Sequence, residues 1–471
     1  MASNPLAPPW LRVPGDANAL VPGLWSRTVR RREGAIEVGG VSVADLADRF
    51  GTPLYVVDEH EARERAVEVR SALQRAFAEV GSAAKVYYAG KAFLSIEVAR
   101  WMAEAGLNID VCSGGELAVA LAAGVLPERL GFHGNNKSLA EIDRAVSVGV
   151  GALIIDSLQE IERVAEAASR HGVVQRVRLR VNSGVHAHTH AFLATAHEDQ
   201  KFGIALDEAV EAVALIRSHP GLEFLGLHCH IGSQIFGADG FAESAARLLT
   251  VHQKLLAGGD VAELNLGGGF GIAYTSVDDP APIDELARSI AQTVAAACEQ
   301  LDIPVPAVAF EPGRSIIGTA GLTLYTVGTT KDVTVSAQDD GETAVRRYVS
   351  VDGGMSDNAR PALYGADYSA RIAGRESLAQ PALVRVAGKH CESGDIVVDA
   401  EYLPGDVAPG DLLAVPATGA YCWSLASNYN YLGRPAVVAV RDGAARVIVR
   451  GETEADLLAR DAAYDDGSTE R

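Results

Sequence analysis

The chain has 471 residues, 61 acidic and 41 basic, for a formal charge of −20. That length exceeds what one hydrophobic core serves, so two domains are expected, one of them a barrel of about 250 residues; the charge would repel a nucleic-acid backbone or an anionic membrane surface. The five cysteines (Cys112, Cys229, Cys298, Cys391, Cys422) are scattered without a CxxC pair, which argues against a disulfide framework or a zinc ribbon and fits a reducing cytoplasm.

The chain begins with a Pro-rich, poorly periodic stretch, SNPLAPPWLRVPG. The run VRRRE at 29 to 33 hints at a twin-arginine export signal, but no apolar segment follows it, and nowhere do about 18 apolar residues run together. The expectation is a protein neither exported nor membrane-spanning. From Lys85 to Glu311 eight short apolar runs alternate with helical patterns: KVYYA, NIDVC, RLGFH, ALIID, RVRLRV, FLGLHCHI, ELNLGG and AVAFE. Ser113-Gly-Gly-Glu116, Ser138-Leu-Ala-Glu141 and Ser157-Leu-Gln-Glu160 have the capping-box spacing that opens a helix. Eight strands and their helices in about 230 residues predict an α/β fold, a (β/α)8 TIM-type barrel, rather than an open doubly wound sheet. After Arg314 the texture becomes short alternating runs separated by Gly and Asp turns, the pattern of a second, mainly antiparallel β domain. The expected boundaries are 1–57 for an N-terminal segment contributing to the β domain, 58–314 for the barrel, 315–450 for the C-terminal β domain, and 451–471 for a polar tail.

A TIM-type barrel carries its chemistry at the C-terminal ends of its strands, with phosphates often held after the last two. The first run ends in Tyr87-Tyr88-Ala89-Gly90-Lys91, placing a lysine where its amine could form a Schiff base; alone, it reads more readily as a solvated strand-end lysine. The seventh ends in Leu266-Gly267-Gly268-Gly269, whose backbone N–H groups a phosphate can approach without Cβ obstruction, and the eighth in Glu311-Pro312-Gly313-Arg314. With Ser233 and Lys91 these loops converge on one rim. That convergence favours pyridoxal 5′-phosphate (PLP), a phosphorylated cofactor with an amine-reactive carbonyl.

These residues also carry a resemblance. YYAGKAF at 87 to 93, HEDQKFG at 197 to 203, HCHIGSQ at 228 to 234, NLGGGFG at 265 to 271, EPGR at 311 to 314, RPALYGA at 360 to 366, CESGD at 391 to 395 and AYCWSLASNYN at 420 to 430 together resemble the diaminopimelate decarboxylases, from about Asp16 to Ile448. That family combines an alanine-racemase-like PLP barrel with a β domain. The resemblance implies that Lys91 holds PLP and that His230 lies against its ring. Ser233, Gly268, Gly269 and the loop Glu311, Pro312, Gly313 and Arg314 would contact the phosphate, and Tyr421 would complete the pocket. Glu311 would sit beside the pyridine nitrogen and keep it protonated, where a racemase of the fold is expected to place an arginine. Cys391 would be the proton donor, reaching into the second subunit of a homodimer that shares its sites. Arg314, Arg360, Tyr364, Glu392 and Tyr421 would hold the distal end of the substrate. Arginine forks pair with carboxylates, so a substrate with a second carboxylate is implied, meso-2,6-diaminopimelate yielding L-lysine. The alternatives are a decarboxylase of another amino acid or of a carboxylated polyamine, and a non-catalytic PLP-binding paralogue.

Two histidine-rich features invite a metal reading. HAHTH at 186 to 190, followed by His197, is read as a rim or lid segment, since PLP supplies the electron sink without a metal. In HCHIGSQ, His228 and His230 share a strand face, but only His230 stands at the strand's end and no third ligand is evident nearby; His228 is read as an interior packing or hydrogen-bonded residue. No metal is expected. Two departures from the family pattern stand out: VAGKH before CESGD is unusually polar, and Cys422 follows Tyr421.

Overall fold

The computed structural model describes residues 4–185, 201–336 and 343–464. They form two compact units: one comprises Met1–Ala62, Ala273–Asp278 and Ile317–Arg471, the other Arg63–Ile272 and Asp279–Ile316.

The second unit is the predicted barrel. Its strands are Ala84–Ala89, Asn108–Val111, Leu130–Phe132, Ala152–Ile155, Gln175–Asn182, Leu222–His228, Glu263–Asn265 and Ala307–Phe310, each falling on one of the eight sequence runs. All neighbours are parallel, and the sheet closes because Ala307–Phe310 pairs with Ala84–Ala89, Val308 opposite Ala84 and Phe310 opposite Val86. Helices follow the strands, among them Ile96–Glu104, Gly114–Ala122, Leu139–Val148, Leu158–His171, Asp239–Leu256 and Ile283–Leu301. Of the three capping boxes, only that of Ser138 and Glu141 is reciprocal. Ser113 caps Glu116, whose carboxylate turns instead to the N–H of Cys112 at 2.7 Å. Ser157 makes no capping bond, because Glu160 accepts the Asp156 N–H at 2.8 Å and Lys137 Nζ at 2.6 Å. A buried cation requiring a partner outweighs the local cap.

The barrel interior is not wholly aliphatic. Arg178, almost completely buried, donates Nε to Glu263 Oε1 at 2.5 Å and Nη2 to the Tyr87 hydroxyl at 2.8 Å, and Lys85 Nζ reaches Glu263 Oε2 at 2.8 Å. Arg178 and Lys85 hold the Glu263 carboxyl below its ordinary pKa although burial alone would raise it. Beside this network the sixth and seventh strands approach so closely at Gly226 that a Cβ there would overlap the Glu263 backbone carbonyl.

In the first unit the main sheet runs, in spatial order, Ile396–Pro404, Pro381–Ala387, Thr343–Val351, Gly321–Ser336, Leu54–Asp58, Val437–Arg441 and Ala444–Val449. Most pairs are antiparallel; Thr343–Val351 with Pro381–Ala387 and Leu54–Asp58 with Val437–Arg441 are parallel. A three-stranded meander, Arg30–Arg32, Ala35–Val38 and Val41–Ser42, precedes the helix Val43–Phe50. Ile36, Val38 and Leu46 pack with Leu54, Leu324, Val438 and Val440 in one core. The Pro-rich start is also anchored, since Leu11 packs with Leu383, Ala400 and Tyr402. Near the C-terminus Thr453 and Asp456 form a reciprocal capping box that opens a short helix, Glu454–Leu458. Among the described residues no helix is long and apolar enough to cross a membrane.

Candidate active site

The C-terminal ends of the barrel strands enclose a cavity of about 390 Å3 bordered by Lys91, Asp110, His133, His228, His230 and Glu311, a size usual for a small-molecule site. Lys91 stands on a single 3-10 turn, Gly90–Ala92, directly after the first strand, and is exposed to the cavity mouth. Cys112 also borders the cavity; burial and the neighbouring Glu116 carboxylate push its thiol up to about 12, so it remains protonated near neutrality.

Glu311 is the electrostatic centre. Its Oε1 accepts the Asn265 amide at 2.6 Å and lies 3.2 Å from His133 Nε2; its Oε2 lies 3.1 Å from His228 Nε2. Burial disfavours its charge, but His133 and His228 hold its pKa well below the ordinary carboxylate value. Asp110 Oδ1 is 3.3 Å from the same His133 nitrogen, and burial, reinforced by the Glu311 charge, raises this carboxyl to about 6. The His133 ring meets that of His228 edge-on, their centroids 5.0 Å apart. The expectation that no third ligand stands near His228 is corrected here: barrel closure brings the ligand atoms of His133, His228 and Glu311, distant in sequence, within 4.8 Å of one another. His228 and Asn265 satisfy the buried Glu311 carboxylate by hydrogen bonds, and His133 stands at ion-pair distance from it.

His230 has a different setting. Its Nδ1 accepts the Gly268 N–H at 3.2 Å, and burial together with the charges of Lys91 and Arg180 keeps the ring neutral. Gly268, expected among the phosphate contacts, thus spends its N–H on the imidazole, and a Cβ on it would overlap the Glu311 carbonyl. Gly269, at φ +118°, would place a Cβ 2.5 Å from the Gly232 carbonyl, and one on Gly313 would come within 3.0 Å of Ala89. Ser233 Oγ accepts Arg314 Nη2 at 2.9 Å, joining two more of the expected residues. Pro312 lies between Glu311 and Gly313 and gives its carbonyl to the Ala89 N–H at 3.0 Å.

The remaining expected residues lie in the other unit. Arg360 opens the short helix Arg360–Tyr364; it is buried, donates Nη1 to the Tyr368 hydroxyl at 2.5 Å and lies 4.3 Å from the Tyr274 ring centroid. Tyr364, at the far end of that helix, is exposed. Tyr421 has φ +59°, and Cys422 behind it is fully buried, 3.6 Å from the Tyr368 hydroxyl and 3.5 Å from Asn358 Oδ1. Cys391 and Glu392 are exposed on a loop held from behind. Asp395 accepts the backbone N–H of Met355 at 2.6 Å and of His390 at 2.7 Å. The His390 ring bridges Ser356 Oγ at 2.8 Å and Asn430 Oδ1 at 3.1 Å and stacks on Tyr429. The polar VAGKH departure is accounted for: His390 is a buried brace. HAHTH and His197 lie outside the described residues.

The sequence profile of the family described as pyridoxal-dependent decarboxylase, pyridoxal binding domain, matches residues 66–318. The chain is 50% identical over 448 residues to the diaminopimelate decarboxylase of Mycobacterium tuberculosis, covering 93% of this chain and 98% of that one, and 42% identical over 445 residues to that of Bacillus subtilis, with the same coverage. This chain belongs to the diaminopimelate decarboxylase family. Among solved structures, the diaminopimelate decarboxylase of M. jannaschii in co-complex with L-lysine superposes with a TM-score of 0.85 at 32% identity, covering 93% of this chain and 98% of that one. As in other members of this decarboxylase family, the cofactor is pyridoxal phosphate. The residues fit it: a buried carboxylate kept anionic faces the cavity with Lys91, and Gly90, Gly134 and Gly232 border it. Asp110, His133 and Asn265 are absent from the residues singled out by sequence. The available signal was position, since His133 closes the RLGFH run and Asp110 stands two residues before the end of NIDVC, both near the catalytic end of a diaminopimelate decarboxylase barrel.

Proposed function

We propose that this protein removes the α-carboxylate of meso-2,6-diaminopimelate, releasing CO2 and L-lysine, with PLP held by the amine of Lys91. When bound, PLP supplies an electron sink for the pair left on Cα as CO2 departs. The observation that carries the reading is the ionised, buried Glu311 on the same cavity as Lys91. An anion there holds a proton on a ring nitrogen and deepens the sink, which favours decarboxylation. His230, kept neutral, offers its flat face to the ring without adding a competing cation. Ser233, Gly269 and the 311–314 loop supply phosphate contacts, with Gly268 orienting His230 from behind. Arg314, Arg360 and Tyr364 orient the distal carboxylate, Glu392 the distal amine, and Tyr421 closes the pocket.

The Cys391 thiol gives its proton to Cα and recovers one from solvent, so one CO2 leaves and one proton is gained. Cys391 and Glu392 of one protomer serve the site of its partner in a homodimer. The exposure of both on a loop braced by Asp395 and His390 supports this assignment. The substrate rests on the two relatives' names and on the L-lysine bound by the M. jannaschii enzyme. Purified, PLP-loaded protein should release CO2 from meso-diaminopimelate far faster than from ornithine; equal or reversed preference would overturn the reading.

A further inference from the structure

Four ionisable side chains meet at the cavity from four strands: Asp110 from the second, His133 just past the third, His228 at the end of the sixth and Glu311 just past the eighth. His133 Nε2 lies 3.3 Å from Asp110 Oδ1 and 3.2 Å from Glu311 Oε1, at ion-pair distance from both without the alignment of a hydrogen bond to either. Two buried carboxylates this close cannot both remain ionised without a cation between them. Among the described residues only His133 stands within ion-pair distance of both. Asn265 and His228 satisfy other directions of Glu311 but leave Asp110 untouched.

We propose that His133 is a positioning residue for the decarboxylation: an imidazolium between Asp110 and Glu311 that keeps Glu311 ionised and available to the cofactor's ring nitrogen. This rests on the role given to Glu311 above. The other charges facing the cluster are Arg178 and Arg180 on the fifth strand, acting on Asp110 and His228, and Lys91 after the first, acting on His230. Burial opposes a charge on His133, but Glu311 and Asp110 outweigh it and lift the ring to about 9. Cofactor retention should therefore hold through neutral pH and fall above about pH 9 as the imidazolium is lost.

The test titrates PLP into apoprotein without substrate, for the unaltered chain and for H133Q, D110N and D110N/H133Q, and follows the absorbance of each loaded protein against pH. H133Q should weaken PLP binding by about ten- to a hundredfold and shift the alkaline limb to lower pH. Removing the second carboxylate removes the need for the cation, so D110N/H133Q should recover most of the lost affinity, a rescue that a merely structural role for His133 would not give. Should H133Q alone fail to fold, D110N and D110N/H133Q carry the comparison, and they should bind PLP nearly alike. Unchanged affinity and pH profile in H133Q, or a double variant that binds no better than H133Q or far worse than D110N, overturns the proposal. No substrate enters the titration, so a wrong substrate assignment would leave its result untouched and would show only in the CO2 assay.

Discussion

His228 Nε2 lies 3.1 Å from Glu311 Oε2, and both groups are buried. The sequence reading made His228 an interior packing or hydrogen-bonded residue. The contact makes it also a donor to the proposed ring-nitrogen partner. His228→Leu should therefore destabilise the chain by about 1–3 kcal/mol, the cost of stripping one donor from a buried acceptor, and weaken PLP binding as well. A melting curve of the apoprotein and a PLP titration measure the two effects. His230→Ala should weaken PLP binding with a smaller change in apoprotein melting; the opposite ranking would mean that the wrong histidine has been placed against the ring.

Gly226→Ala sets a Cβ against the Glu263 carbonyl on the neighbouring barrel strand. Backbone cannot yield as a side-chain tip does. A loss of stability of at least about 1–3 kcal/mol is expected, read as a lower denaturation midpoint. A variant as stable as the parent would show that the strands can part there without penalty.

Asp395→Ala removes the acceptor for the N–H groups of Met355 and His390. If Cys391 acts as assigned, its loop loses its brace while PLP binding is preserved. The expected outcome is a lower kcat with an unaltered PLP titration. A simultaneous loss of PLP affinity would place the loop's role elsewhere.

His252 is buried, and burial alone depresses its pKa from 6.5 to about 4. Between these values the unfolded chain binds a proton that the folded chain refuses, so this group makes stability rise with pH across that window and fall on acidification. His252→Leu should remove up to about 1.4 kcal/mol per pH unit of that slope. Denaturant unfolding at several pH values between 4 and 6.5 measures it. An unchanged slope would mean that the imidazole is already charged in the folded state.

The barrel was legible because each strand announces itself locally, as an apolar run followed by a helix start. Lys91 and Glu311, both on the cavity, were legible for the same reason: each sits just past the end of a run. Partnerships were not. Asp110, His133, His228 and Glu311 span 201 positions, and only ring closure through Val308 and Ala84 makes them neighbours. The role of Glu160 was misread because a capping box is a local pattern, and Lys137, 23 positions earlier, claimed its carboxylate. Asp395 was visible as part of CESGD, but its work, holding the backbone of Met355 and His390 in place, depends on contacts no spacing reveals.

The Arg178–Glu263 pair inside the barrel has a bearing on the chemistry above it. Tyr87 and Glu263 raise the guanidinium's pKa further, so it keeps its proton, and it holds Glu263 ionised in turn. The site is therefore ballasted from within by charges that do not titrate in the working range. Acid or alkali reaching the pocket meets a field already set there, against which Asp110, raised to about 6, and His133, raised to about 9, change charge on either side of neutrality.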